Sequence, residues 1–98
     1  MAKAIVWKPK ANQQILEIED YLITNFSDRV ANKFIDALYH KLDRLQHFPE
    51  SGQPTRFKTI RRGRINKFIS LFYKIQGNFI VIHFVWDSRQ DPQKNPYL

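Results

Sequence analysis

No cysteine occurs among the 98 residues. Disulfides, thiolate nucleophiles and cysteine-ligated zinc are excluded in one step. No stretch approaches the roughly 20 apolar residues of a membrane span. The opening MAKAIVWKPK lacks the long apolar core of a signal peptide. A soluble cytoplasmic protein with no membrane partner is the expectation. There is no internal repeat, no low-complexity tract and no linker, so residues 1–98 are expected to form one domain. Acidic residues are also missing from much of the chain: beyond position 50 only Asp87 and Asp91 remain.

What is present suits a globular domain. The content is 43% apolar and 14% aromatic, enough to build a core without covalent staples. The net charge of +7 is unevenly placed. Residues 1–50 balance seven Lys/Arg with seven Asp/Glu, whereas residues 51–98 set nine basic residues against two acids. One half is an ordinary solvated scaffold and the other a cationic surface. Such a surface attracts nucleic acid or an acidic protein.

Hydropathy gives the element order. Ala4-Ile5-Val6-Trp7 reads as a short strand that meets Pro9. Ala11, Ile15, Ile18 and Leu22 recur at helical steps, with Glu17, Glu19 and Asp20 as a solvated face. Asn25-Phe26 breaks the pattern, and Phe26 is expected to plug the link hydrophobically. Ser27-Asp28 then supplies an N-cap and a first-turn acid. A second stripe follows through Ala31, Phe34, Leu38, Leu42 and Leu45, widened by Ile35 and bounded by Pro49 and Gly52. The short link implies an antiparallel helical hairpin. Phe57–Arg61 is a weak strand interrupted by Arg62-Gly63-Arg64, while Phe68–Ile75 and Phe79–Trp86 are strong strands around a Gly77-Asn78 turn. Phe79, Val81, His83 and Val85 are expected on one face, and Ile80, Ile82, Phe84 and Trp86 on the other. Two apolar faces make this strand central or nearly so. The expected fold is α+β, in the order β-α-α-β-β-β, with the helical hairpin on one face of a mostly antiparallel sheet.

Candidate site residues come from the charge pattern. Between positions 56 and 67 there are six basic residues (Arg56, Lys58, Arg61, Arg62, Arg64, Lys67) and no acid. A two-residue turn at Gly77-Asn78 pairs Tyr73 with Ile82, Ser70 with Val85, and Asn66 with Arg89 if the ladder runs that far. Arg89 then joins the cluster, and seven cations converge at one end of the sheet. Like charges this close repel by up to about a kcal/mol per pair in water. A polyanion-binding surface has reason to concentrate them. Asp87 or Asp91 is positioned to hold the Arg89 guanidinium in a carboxylate fork. The alternative is plain: Asp-Ser-Arg-Gln-Asp-Pro is also good turn chemistry. His83, mid-strand, is expected as a core or half-buried residue rather than a general base. His40 and His47 are seven residues apart, too sparse for a metal site, so neither metal nor cofactor is expected. Trp7 and Trp86 are expected in the core or lining a groove.

The stretch YLITNFSDRVANKFIDALYHKLDRLQHFPESGQP, followed by a basic turn, a β-hairpin and WDSRQDP, resembles the RelE/ParE superfamily of bacterial type II toxins. Tyr21-Leu22, Ala31, Phe34, Leu38, Leu45, Pro49 and Gly52 carry the likeness, together with Trp86 to Pro92. The resemblance implies a growth-inhibiting or plasmid-stabilising toxin neutralised by a cognate antitoxin in a hetero-oligomer. It implies either of two activities: ribosome-dependent mRNA cleavage, or inhibition of DNA gyrase by binding. Family nucleases use lysines on the second strand, an arginine on the third, an arginine ending the fourth and often a tyrosine. Lys58, Arg61, Lys67 and Arg89 would be the catalytic set in that case, but no arginine stands near Phe68-Ile69, and Tyr97 lies on a Pro-bounded tail. Under the binding alternative, Arg56, Arg61, Arg62, Arg64 and Arg89 would dock the target. The long second helix and the Phe48–Gly52 exit favour the ParE side. A third alternative is an inactive relative that keeps only its antitoxin. Helix-turn-helix character is absent, so direct operator binding is not expected.

Overall fold

A computed structural model describes residues 2–89 and 95–96. Its elements run β1 (Ala4–Trp7), α1 (Pro9–Asn25), α2 (Asp28–His47), β2 (Gln53–Pro54), β3 (Ile60–Arg64), β4 (Ile69–Gln76) and β5 (Phe79–Asp87), with a 3₁₀ turn at Pro49–Ser51. The five strands form one sheet in the order β1-β5-β4-β3-β2. β1 pairs with β5 in parallel, and every other pairing is antiparallel. The α+β arrangement expected from the sequence is what forms, with β2 as an extra two-residue edge strand.

The helical hairpin follows local chemistry. Pro9 occupies the first turn of α1, where its missing N–H costs nothing. Ser27 Oγ accepts from Val30 N at 3.2 Å, and Asp28 sits in the first turn of α2. Ala31, Phe34, Leu38, Leu42 and Leu45 are all buried, so the α2 stripe faces the sheet. Phe26 departs from expectation. It is 60% exposed and touches only the edge of Tyr21 among described ring pairs, with centroids 6.2 Å apart. The two-residue link closes without an apolar plug.

The β4–β5 hairpin turns at Gly77, whose φ of +57° is the left-handed conformation that glycine supplies freely. Tyr73 pairs with Ile82 as expected. One step further the register slips: Phe72 faces Phe84, leaving His83 as an extra, half-buried residue on β5. This is a β-bulge. Ser70 consequently faces Trp86 rather than Val85. The expected faces are corrected too. Ile80, Ile82 and Val85 share the main core with the helices, and Trp86 joins Phe72 and Ile60 in a smaller cluster with Phe84 packed against it. An extra residue inverts the alternation of everything after it.

The basic stretch is also reassigned. Arg62-Gly63-Arg64 does not interrupt a strand; it is the C-terminal half of β3. Pairing with β4 along the whole segment, and with β2 at Arg62, outweighs its low β propensity. Residues 55–59, expected in part as strand, form the connecting turn.

Tyr73 ties the 3₁₀ turn to the sheet. Its hydroxyl donates to the Pro49 carbonyl at 2.6 Å and accepts from Gly52 N at 3.0 Å. Burial raises its pKa above the ordinary 10, against lowering by the Gly52 bond and by Arg61. Gln14 makes a corresponding tie from α1, its Oε1 accepting from Val85 N at 2.8 Å. Among the described residues no helix is long and apolar enough to cross a membrane.

Candidate functional site

The seven cations do not all converge. β3 runs from Ile60, opposite Lys74, to Arg64, opposite Ser70, and those four steps span roughly 13 Å. Arg56 and Lys58 precede Ile60 and lie at one end of the strand. Arg64, Lys67 and Arg89 belong to the other. Arg61 and Arg62 point to opposite faces. Arg61 Nη1 donates to the carbonyls of Glu50 and Gly52, at 3.1 and 2.9 Å. Arg62 Nε donates to Ser70 Oγ at 3.1 Å, and its guanidinium lies over the Phe72 ring. Arg56 lies over Phe57, and Lys67 over Phe68. Neighbouring aromatic rings and carbonyls thus reduce the like-charge repulsion that the sequence implies.

Arg89 is built in more firmly. The ladder ends at Ile69–Asp87, and one further bond, Ser88 N to the Phe68 carbonyl at 2.7 Å, carries the chain past it. Arg89 therefore sits in a turn rather than opposite Asn66. Asp87 Oδ1 accepts from the Arg89 backbone N at 3.0 Å and from Nε at 2.9 Å, and Oδ2 accepts from Nη2 at 2.5 Å. The guanidinium carbon stands 4.6 Å from the Phe68 ring centroid. Phe68 is fixed in turn by Asn66 Oδ1, which accepts from the backbone N of Phe68 and of Ile69 at 2.9 Å each. Both readings of the segment thus hold: it is a turn, and the turn closes on the arginine. Of the two expected fork partners, Asp87 makes the bonds. Asp91, like Tyr97, lies outside the described residues.

The fork shifts both groups. Hydrogen bonds from Arg89 hold the Asp87 carboxyl below its ordinary value, although burial opposes them. Asp87 reciprocally raises Arg89. The carboxylate is ionised and spoken for, the wrong state for a general acid or for a base poised near neutrality.

Two clefts meet at this arginine. A cavity of about 640 Å³ lies between α1 and the end of β5, lined by Lys10, Gln14, Glu17, Tyr21, Trp86 and Asp87 as well as Arg89. A second, of about 360 Å³, lies between the helical hairpin and the β3–β4 turn, with Phe26, Val30, Lys33, Asn66 and Phe68 on its walls. Leu22 and Arg89 line both. Phe26, Val30 and Phe68 are exposed there, so the second cleft is apolar with a cationic rim. A third hollow, of about 200 Å³, has Lys41, Arg62 and Arg64 around Gly52 and Gly63. Sequence reasoning missed Phe68, Gln14, Lys10 and Tyr21 as wall residues. Only the interleaving of aromatics with cations at Arg56-Phe57 and Lys67-Phe68 hinted at the stacking.

His83 is lowered in pKa by burial first and then by Lys8 and Lys74. It sits in the bulge and lines none of these three clefts. Among the described residues no group of three or more His, Asp or Glu is arranged to hold a metal.

A family model described as the ParE toxin of the type II toxin–antitoxin system parDE matches residues 5–92. The chain is similar to a solved structure of the chromosomal ParDE system from P. aeruginosa, with a TM-score of 0.74 and 18% identity over 88% of this chain and 96% of that one. It is similar as well to the toxin–antitoxin complex RelBE2 from Mycobacterium tuberculosis, with a TM-score of 0.62 and 15% identity over 89% and 99% of the two chains. The DinJ-YafQ complex of E. coli matches at a TM-score of 0.62 and 10% identity, covering 91% and 96%. At these identities the structural likeness is one of fold. No curated protein matches the sequence.

Proposed function

From the premise that this chain belongs to the ParE toxin family of type II toxin–antitoxin systems, we propose that it arrests growth by binding its target, DNA gyrase, and that a cognate antitoxin neutralises it. The state of Arg89 carries this reading. A nuclease needs a cation free to meet the phosphorane and groups ready to move protons. Here one edge of the guanidinium is taken by Asp87, and the bonds from Arg89 hold that carboxylate ionised rather than poised to move a proton.

The remaining nuclease candidates support the same view. Lys58 precedes β3, Arg61 is bonded to the carbonyls of Glu50 and Gly52 beside its cross-strand partner Tyr73, and Lys67 lies over Phe68. They do not surround one reacting position. A protein-docking surface asks for less: apolar walls, a cationic rim and anchored arginine, which the two clefts supply. Arg62, Arg64 and Arg56 add positive potential that speeds encounter with an acidic antitoxin or target.

Pulse labelling just after induction without antitoxin tests the reading. Thymidine incorporation is expected to fail before amino-acid incorporation, and purified toxin is expected to block gyrase supercoiling. Protein synthesis collapsing first, with supercoiling untouched, would establish the mRNA-cleaving alternative instead.

A further inference from the structure

We propose that Asp87 and Phe68 are positioning residues for Arg89, holding its guanidinium rigid at the junction of the two clefts so that its unused donors and open face meet the target. The proposal rests on the binding function above and assigns how that surface recognises its partner. Guanidinium has five N–H donors. Asp87 engages Nε and Nη2, and Phe68 covers one face. Nη1 is left without a bond to Asp87, and the side chain remains 45% exposed while that of Asp87 is 13% exposed. The carboxylate support is largely covered, and the guanidinium it holds is open.

Both supports are fixed by the backbone. Asp87 is the last residue of the β4–β5 ladder, paired with Ile69. The amides of Phe68 and Ile69 are bonded to Asn66, and the Phe68 carbonyl receives Ser88 N. A free arginine loses rotamer freedom when it binds. This one has lost it on folding, so less is lost at the interface. The fork also cancels most of its net charge. Arg89 therefore contributes direction and planar stacking more than long-range attraction, and lysine cannot substitute for it. The complementary group on the target is a carboxylate or peptide carbonyl beside an apolar side chain that enters the second cleft.

A double-mutant cycle decides the matter. Wild type, D87N, R89A and D87N/R89A are compared for the concentration that halves gyrase supercoiling and, in parallel, for growth arrest on induction. Thermal melts accompany them, with F68L as a second supporting variant. D87N is expected to weaken inhibition about tenfold, R89A at least as much, and the double variant no more than about twofold beyond R89A. R89K should not restore inhibition. Effects of D87N and R89A that multiply in the double variant would overturn the proposal, because Asp87 would then act on its own. Coupling in growth arrest with gyrase unaffected would refute the gyrase target and uphold the positioning role. A target-free readout completes the test. The Arg89 Nε–H resonance should be shifted and slow to exchange in wild type and should move to the free-arginine position in D87A, which removes both acceptors. A resonance unchanged by D87A overturns the proposal whatever the toxin acts on.

Discussion

Replacing Gly52 with alanine should destabilise the protein although the backbone permits it. Gly52 has φ −70° and ψ 154°, an extended conformation open to any residue. At such a site Gly→Ala alone stabilises by about 0.4–1 kcal/mol through the unfolded state. The surroundings reverse the sign. A Cβ at position 52 would overlap Tyr73 Oη and stand 2.8 Å from Tyr73 Cε1 and 2.9 Å from the Arg62 carbonyl. Tyr73 is fully buried and its hydroxyl is held between Pro49 and Gly52, so it has little room to retreat. Overpacking of this kind costs about 1–3 kcal/mol. Loss of the Gly52–Tyr73 hydrogen bond adds about 1 kcal/mol. The net expectation is a loss of about 2 kcal/mol, or a fall in Tm of roughly 8–16 °C for a domain of this size. Thermal and urea unfolding followed by far-UV circular dichroism measure it. In a Y73F background the nearest clashing atom is gone, and the same substitution should cost distinctly less, though not nothing, because Cε1 and the Arg62 carbonyl remain. An alanine variant as stable as wild type, or equal costs in the two backgrounds, would refute the reasoning.

Four further expectations are simpler. Ser27→Ala removes the cap on Val30 N and should lower stability by about 1 kcal/mol, seen as a lower urea midpoint at unchanged slope. Asp87 titrates below its ordinary 3.8 in the folded state, so its contribution is present above that value and is lost as pH falls through the lower folded value. Acid unfolding should accordingly begin at higher pH in R89A than in wild type. His83 acts in the same direction nearer neutrality. Its folded pKa lies below 6.5, so stability declines as pH falls from there, and H83Q should flatten that part of the profile. Tyr73 is raised above 10, so its neutral form stabilises the fold fully below pH 10, a contribution lost as pH rises through the folded value. Absorbance at about 295 nm should show one of the four tyrosines ionising late, in step with alkaline unfolding, and Y73F should abolish that phase.

Local chemistry was legible in the chain. The α2 stripe, the Ser27 cap, the Gly77 turn and the interior place of β5 all follow from period, capping and the one left-handed glycine, and each needs only neighbours a few residues away. The family resemblance rested on the same spacing. Tertiary structure decided the rest. His83 looks like any strand residue until β4 pairs with it, and the bulge then sends Val85 to the helices and Trp86 to the far face. Arg62-Gly63-Arg64 reads as a break until β4 pairs along all of it and β2 joins at Arg62. The cations look like one cluster because sequence shows charge without direction; alternation along β3 parts Arg61 from Arg62. For Arg89, nearness to Asp87 is written in the sequence, since two residues suffice for an Asx turn. Phe68 beneath its guanidinium and the two clefts on either side depend on contacts across the sheet and helices, which only the folded chain brings together.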